Sequence, residues 1–208
     1  MYRKMIHLRH ETVDGVGPWH WVEQDRGAWD GPKQDWETSH KHKYFNHVKN
    51  WNIAVCAGGN QGMYPKMFAK RFSIVYTFEP DPLNFHVLNL NCAEDNIIAL
   101  QCALGATNDF VAITRHSFDN CGMHRIEGSG AIPQLALDSF NFPHMDFIQL
   151  DVEGYELNVI RGASQTIQKF HPVITCERPS DELIKLLGEW GYELDDQSIA
   201  DSIFVYRD

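Results

Sequence analysis

From residue 52 onward, short runs of Val, Ile and Phe alternate with longer stretches whose apolar positions recur every three or four residues. Helices laid on both faces of a mostly parallel sheet produce this alternation, because such strands are buried on both sides and their crossovers are helical. The runs predict strands near Asn52–Ala57, Ser73–Phe78, Asn96–Leu104, Asp146–Asp151 and Pro172–Glu177. Between them, Met63–Arg71, Pro82–Cys92, Glu156–Phe170 and Asp181–Trp190 have helical spacing. In the third, Leu157, Ile160, Ala163 and Ile167 share the face that meets the sheet, and the fourth opens on Ser180 as N-cap and closes before Gly191.

Two regions depart from the alternation. Residues 109–137 switch between apolar and polar positions around Asp119-Asn120 and Gly128-Ser129-Gly130, which predicts a small β insert of one or two antiparallel strands. Ser202–Tyr206 reads as a last strand at an antiparallel edge, since little chain separates it from the run at Tyr192–Leu194. No internal repeat or low-complexity linker interrupts the chain. The layout predicts one α/β domain over 51–208, preceded by an appendage over 1–50.

Composition narrows the class. The 208 residues are 43% hydrophobic and 22% charged, with 28 acidic against 18 basic side chains. No segment reaches the roughly 18 to 20 uninterrupted apolar residues of a membrane helix, and the N-terminus has no apolar stretch of signal-peptide type, so a soluble, cytoplasmic protein is expected. The acid excess argues against a broad phosphate-binding surface, and with it against a nucleic-acid partner. Five scattered cysteines without a C-x-x-C pair disfavour a disulfide framework or a zinc site. The charge is also uneven: residues 1–50 hold eight basic and seven acidic residues, whereas the remaining 158 hold ten and 21. Trp19, Trp21, Trp29, Trp36 and Trp51, five of the six tryptophans, lie within the first 51 residues. This quarter either docks on the domain through its aromatic rings or forms a lid that offers them to an acceptor.

The chemistry concentrates at two places. Ile53-Ala54-Val55-Cys56-Ala57 runs into Gly58-Gly59-Asn60-Gln61-Gly62, so a buried strand ends in a turn where backbone can approach a ligand at a helix N-terminus. The spacing is neither the dinucleotide fingerprint nor a P-loop. The second strand then delivers Glu79, placed as the acid that accepts ribose hydroxyls in nucleotide-binding folds. Further on, Asp146-Phe147-Ile148-Gln149-Leu150 delivers Asp151, Glu153 and Glu156 within six residues at the strand edge where ligands bind.

These segments, with Phe78-Glu79-Pro80-Asp81-Pro82, Ala136-Leu137-Asp138-Ser139, Arg161-Gly162-Ala163 and His171-Pro172-Val173-Ile174-Thr175-Cys176-Glu177, resemble in order and content the FkbM-type family of S-adenosylmethionine-dependent methyltransferases, over residues 53–177 or about 60% of the chain. The resemblance implies a Rossmann-like class I methyltransferase fold: a seven-stranded, mostly parallel sheet with an antiparallel last strand. It implies that Ala57, Gly58, Gly59, Asn60 and Gly62 wrap the methionine part and ribose of S-adenosyl-L-methionine, and that Glu79 binds the ribose hydroxyls. Pro80 and Asp81 would flank the adenine, Ala103 and Leu104 would cover its other side, and Asp151 would lie near the methyl group. One position departs from the family, Cys56 standing where an acid is usual, which implies either weaker cofactor binding or compensation by Asp151.

The resulting expectation is an O-methyltransferase acting on a small molecule or a sugar, with Asp151 and Glu153 as catalytic candidates. A non-catalytic cofactor-binding or partner-binding module is the alternative. Several residues keep a structural reading beside the functional one. Glu153 could cap the following helix, Glu177 could pair with Arg178, and Asp138-Ser139 reads as an N-cap. His40-Lys41-His42-Lys43 reads as a solvated helix face, and His116 and His124 in the insert are within reach of an acceptor. A hard cation on Asp151, Glu153 and Glu177 is weighed, but no resident metal is expected.

Overall fold

The computed structural model describes residues 8–13, 16–26, 40–115, 117, 119–197 and 201–207. Trp29, Trp36 and His116 lie outside them. An antiparallel hairpin of β1 (Leu8–Val13) and β2 (Val16–Val22) comes first, followed by a 3-10 helix, His40–Phe45. Then come β3 (Ile53–Ala57), α1 (Met63–Ala69), β4 (Ile74–Phe78), α2 (Pro82–Asn91) and β5 (Ile97–Leu100). A short strand β6 (Ala103–Leu104) follows, and the insert supplies β7 (Asp109–Thr114), β8 (Arg125–Ser129) and β9 (Ile132–Leu135). The chain finishes with β10 (Phe147–Leu150), α3 (Glu156–Gly162), α4 (Ser164–Phe170), β11 (Val173–Glu177), α5 (Asp181–Glu189), β12 (Tyr192–Gln197) and β13 (Asp201–Tyr206).

Seven strands form the main sheet in the order β12-β13-β11-β10-β3-β4-β5. Its strands read as continuous apolar runs because neighbouring residues enter different cores. Ile53, Val55, Ala57, Ile148 and Leu150 face the layer of α3, α4 and α5, whereas Ala54, Cys56 and Phe147 face an aromatic layer with Tyr44, Phe45, Phe68 and Phe72. Phe45 lies 5.4 Å from Phe147 and 5.9 Å from Phe68, ring centre to ring centre. No described helix is long and apolar enough to cross a membrane.

Four sequence expectations are corrected. The run Asn96–Leu104 is two strands: the Cys102 amide donates to the Leu100 carbonyl, and this turn swings Ala103 and Leu104 out of the main sheet into parallel pairing with β9. The insert therefore holds three strands and, with β6, makes a second sheet in the order β6-β9-β7-β8. The last strand is antiparallel but internal, because the run at Tyr192 becomes β12 and takes the edge outside it. The helix expected over Glu156–Phe170 breaks at Ala163 (φ −113°), and Gly162 there is pressed so close to the Gly105 carbonyl that a Cβ would sit 1.9 Å from its oxygen.

Asp138 caps a helix, but one distant in sequence: its carboxylate accepts from the amides of Gln165 (3.0 Å) and Thr166 (2.8 Å) at the start of α4. Asp138→Ala is expected to cost about 1 kcal/mol, lowering Tm by roughly 2–4 °C, with Asp138→Asn in between. An unchanged melting curve for the alanine variant would remove this role.

Candidate functional site

The site begins where β3 ends. The amides of Gly58 and Gly59 both donate to the Phe78 carbonyl at 3.0 Å, and the Asp151 amide donates to the Ala57 carbonyl at 3.0 Å, so the loops after β3, β4 and β10 converge. Gly58 has φ +85°, and a Cβ there would stand 1.8 Å from the Asp151 carbonyl oxygen, so the backbones touch without a side chain between them. A Cβ on Gly59 would meet Thr77 Oγ1 at 2.3 Å. Asn60 adopts φ +44°, and Gly62 (φ +99°) starts α1.

Glu79 locks this turn. Its carboxylate accepts from the Asn60 amide (2.7 Å) and the Asp81 amide (2.8 Å). Complete burial pushes its pKa up to about 8, although the two amides favour the ionised form. Two residues on, Asp81 accepts from the Leu83 amide (2.7 Å) as the N-cap of α2 and forms a bidentate pair with Arg115 at 2.5 and 3.0 Å. His124 Nδ1 lies 3.2 Å from the same carboxylate. Burial works to raise the Asp81 pKa, but His124 and Arg115 hold it well below the usual carboxylate range. His124 is in turn held above its ordinary value by Asp81 and the Ser117 carbonyl, against the effect of burial.

A cleft of about 720 Å³ opens at the carboxyl end of the sheet. Of the expected cofactor residues, Gly58, Asn60, Glu79, Pro80, Asp81, Ala103, Leu104 and Asp151 line it, as does Glu153. Ala57, Gly59 and Gly62 are buried and lie outside the lining, shaping the turn from behind. Asp151, Glu153 and Glu177 bring carboxylate oxygens within 4.8 Å of one another. Burial first, then Glu177, raises the Glu153 pKa, with Arg125 and Arg178 pulling it down and Glu156 adding to the rise. Glu153 does not cap α3. No described side chain caps the start of α3; Glu156, its first residue, accepts from the amides of Val152 (3.3 Å) and Gly154 (3.0 Å) and so braces the loop before the helix. Glu177 pairs loosely with Arg178 at 3.7 Å. Cys56 is fully buried in the aromatic layer, its thiol 3.0 Å from Gln149 Oε1, and is not part of the lining.

The insert closes the cleft with residues the sequence did not single out: Ile113, Cys121, Gly122, Arg125 and Ile126, along with Asn84 from α2. Buried Cys121 receives Asn84 Nδ2 on its carbonyl (3.0 Å), and its amide donates to Asp25 (3.3 Å). Asp25 also accepts from Gln61, and Gln61 accepts from the Val22 amide. The N-terminal hairpin is thereby tied to the glycine turn, with Trp21 buried and the Lys66 ammonium 5.6 Å from the centre of the Trp19 ring. The cleft suits a ligand with polar edges: Asn60 and Asn84 line it, and their Oδ1 atoms are buried acceptors without a partner among the described residues.

A glycine turn, a second-strand acid and a seventh strand, β13, inserted antiparallel between β11 and β12 of an otherwise parallel sheet make this the class I methyltransferase fold. Residues 57–194 match the methyltransferase FkbM domain, and the chain belongs to that family. The hexuronic acid methyltransferase AglP of Haloferax volcanii is 29% identical over 132 residues, covering 60% of this chain and 53% of that protein, so the chain spans about half of this relative's length. Among solved structures, a methyltransferase FkbM of Methylobacillus flagellatus KT superposes with a TM-score of 0.54 at 18% identity, covering 82% of this chain and 47% of that one. A precorrin-6y C5,15-methyltransferase of Geobacter metallireducens gives 0.53 at 8% identity, covering 80% and 87%.

Glu79 gives the free protein a signature. Its folded pKa of about 8 lies above the ordinary 4.5, so between those values the native state keeps a proton that the unfolded chain has lost. This stabilisation is complete below about pH 4.5 and disappears as pH rises through 8. Tm of the wild type is expected to fall more steeply from pH 5 to 8 than that of Glu79→Gln. Parallel curves would mean that Glu79 is ionised throughout.

Proposed function

We propose that the chain is an S-adenosyl-L-methionine-dependent methyltransferase that methylates a hydroxyl of a small-molecule acceptor, of the sugar class to which the AglP relative's hexuronic acid belongs. The observation that carries this reading is the convergence of Gly58, Asn60, Glu79, Asp81 and Asp151 on one cleft. Bound there, the cofactor supplies a methyl group already activated on a sulfonium, so the protein's tasks are to orient, exclude water and accept a proton.

In this reading Glu79 takes the ribose hydroxyls while still holding the Asn60 and Asp81 amides. Pro80, Asp81, Ala103 and Leu104 enclose the adenine, and Asn84 Oδ1 offers an acceptor to its amino edge. Asp151 orients the methionine end. Glu153 would take the proton of the acceptor's hydroxyl, leaving its oxygen free to receive the methyl group that the cofactor would supply. A half-buried carboxylate whose proton affinity is raised by burial and by Glu177 suits that base. The described part of the N-terminal appendage is anchored through the Asp25 carboxylate, which accepts from the Cys121 amide. The non-catalytic alternative rests on Cys56, and its thiol lies in the aromatic layer instead of the cleft.

Calorimetry with S-adenosylhomocysteine is expected to show micromolar binding that Glu79→Ala abolishes and Glu153→Gln leaves within a few-fold. Transfer of labelled methyl to sugar acceptors is expected to lose about 10²-fold or more in kcat in Glu153→Gln. NADH binding in place of the homocysteine would overturn the assignment, and binding without transfer would favour the module.

A further inference from the structure

An acceptor entering the cleft meets Asp151, Glu153 and Glu177 together, in a chain with a formal charge of −10. A carboxylate on that acceptor would be repelled unless a cation received it. Among the described residues lining the cleft, Arg125 is the only arginine or lysine. Its setting differs from that of Arg115 nearby, which is fixed on Asp81 by two short hydrogen bonds. The Arg125 guanidinium makes no hydrogen bond among the described residues, and its one ion pair is a long 3.9 Å contact to Glu153 Oε2 with the side chain 49% exposed. Long, half-exposed pairs of that kind contribute little and exchange readily.

The backbone that carries Arg125 is well held. His124, the residue before it, is 4% exposed in its side chain and sits against Asp81, and Arg125 lies opposite Thr114 where β8 pairs with β7. The chain thus presents an uncommitted guanidinium from a fixed point at the mouth, directly across from the candidate base.

We infer that Arg125 is the specificity-determining residue for an anionic acceptor, leaving Glu153 to bind the carboxylate of a uronic-acid-type sugar. The planar guanidinium matches a carboxylate in bidentate geometry, which a neutral sugar cannot exploit. The exchange has a second effect. Once Arg125 turns to the acceptor, Glu153 loses a cation that favours its ionised form, and its affinity for the hydroxyl proton rises as the acceptor arrives. This inference rests on the sugar-acceptor reading given above.

The test uses the full chain saturated with S-adenosylhomocysteine and compares methyl β-D-glucuronide with methyl β-D-glucoside by calorimetry. The glucuronide is expected to bind at least tenfold tighter at low salt. Arg125→Gln should erase that preference while homocysteine affinity and Tm stay unchanged, and Arg125→Lys should retain part of it. Equal binding of the two sugars, no binding of the glucuronide, or a preference that survives in Arg125→Gln would each overturn the assignment of Arg125. Absence of homocysteine binding to the wild type would instead overturn the cofactor reading beneath it.

Discussion

The site depends on one close approach, that of the Gly58 backbone to the Asp151 carbonyl. Three parallel strands end at the same level there, and the loops that follow are joined through backbone hydrogen bonds from Gly58 and Gly59 to Phe78 and from Asp151 to Ala57. A side chain at residue 58 would occupy the position of the Asp151 carbonyl oxygen, so separating the loops would be the first consequence of any substitution. Glu79 then fixes the turn from the other side by accepting the Asn60 and Asp81 amides. The cleft is therefore framed by main chain before any ligand is considered, and the side chains that face it inherit positions set by the sheet.

Two carboxylates two residues apart show how local surroundings divide this frame. Glu79 is buried with amide donors and no cation in hydrogen-bond contact, and its proton affinity rises; Asp81 is buried beside Arg115 and His124, and its affinity falls. The first can change its charge near neutrality and the second cannot. Asp81 is consequently suited to a permanent structural charge, capping α2 and holding the insert, while Glu79 is free to respond to hydroxyl donors.

The central strands β3, β4, β10 and β11 were legible in sequence because each is a mostly apolar run bounded by turns, and the glycine turn because its departure from ordinary composition is confined to five residues. What periodicity does not encode is pairing at a distance. Asp138 has the residue type of a cap, but the amides it accepts lie 27 and 28 residues on. Arg115 bears no sequence mark of a partner 34 residues away, so the latch on Asp81 and the cleft wall behind it were unreadable. The internal place of β13 likewise follows from where β12 docks, which the hydrophobic content of either strand leaves open.

The same distant contacts explain why the insert belongs to the site. Asp81 is shared between the cofactor side of the cleft and β8 through His124, and Cys121 is shared between α2, through Asn84, and the N-terminal hairpin, through Asp25. The Cys121 joint is made of buried hydrogen bonds and the Asp81 joint of a buried 3.2 Å contact between His124 Nδ1 and the carboxylate, so the insert cannot move outward without leaving charged or polar groups unpaired in the interior, a cost of several kcal/mol. Arg125 and Glu153 lie just outside these joints, where solvent weakens their pairing. Rigidity thus ends at the buried Asp81–His124 contact, and the exchangeable charge begins one residue on, at Arg125 paired with Glu153.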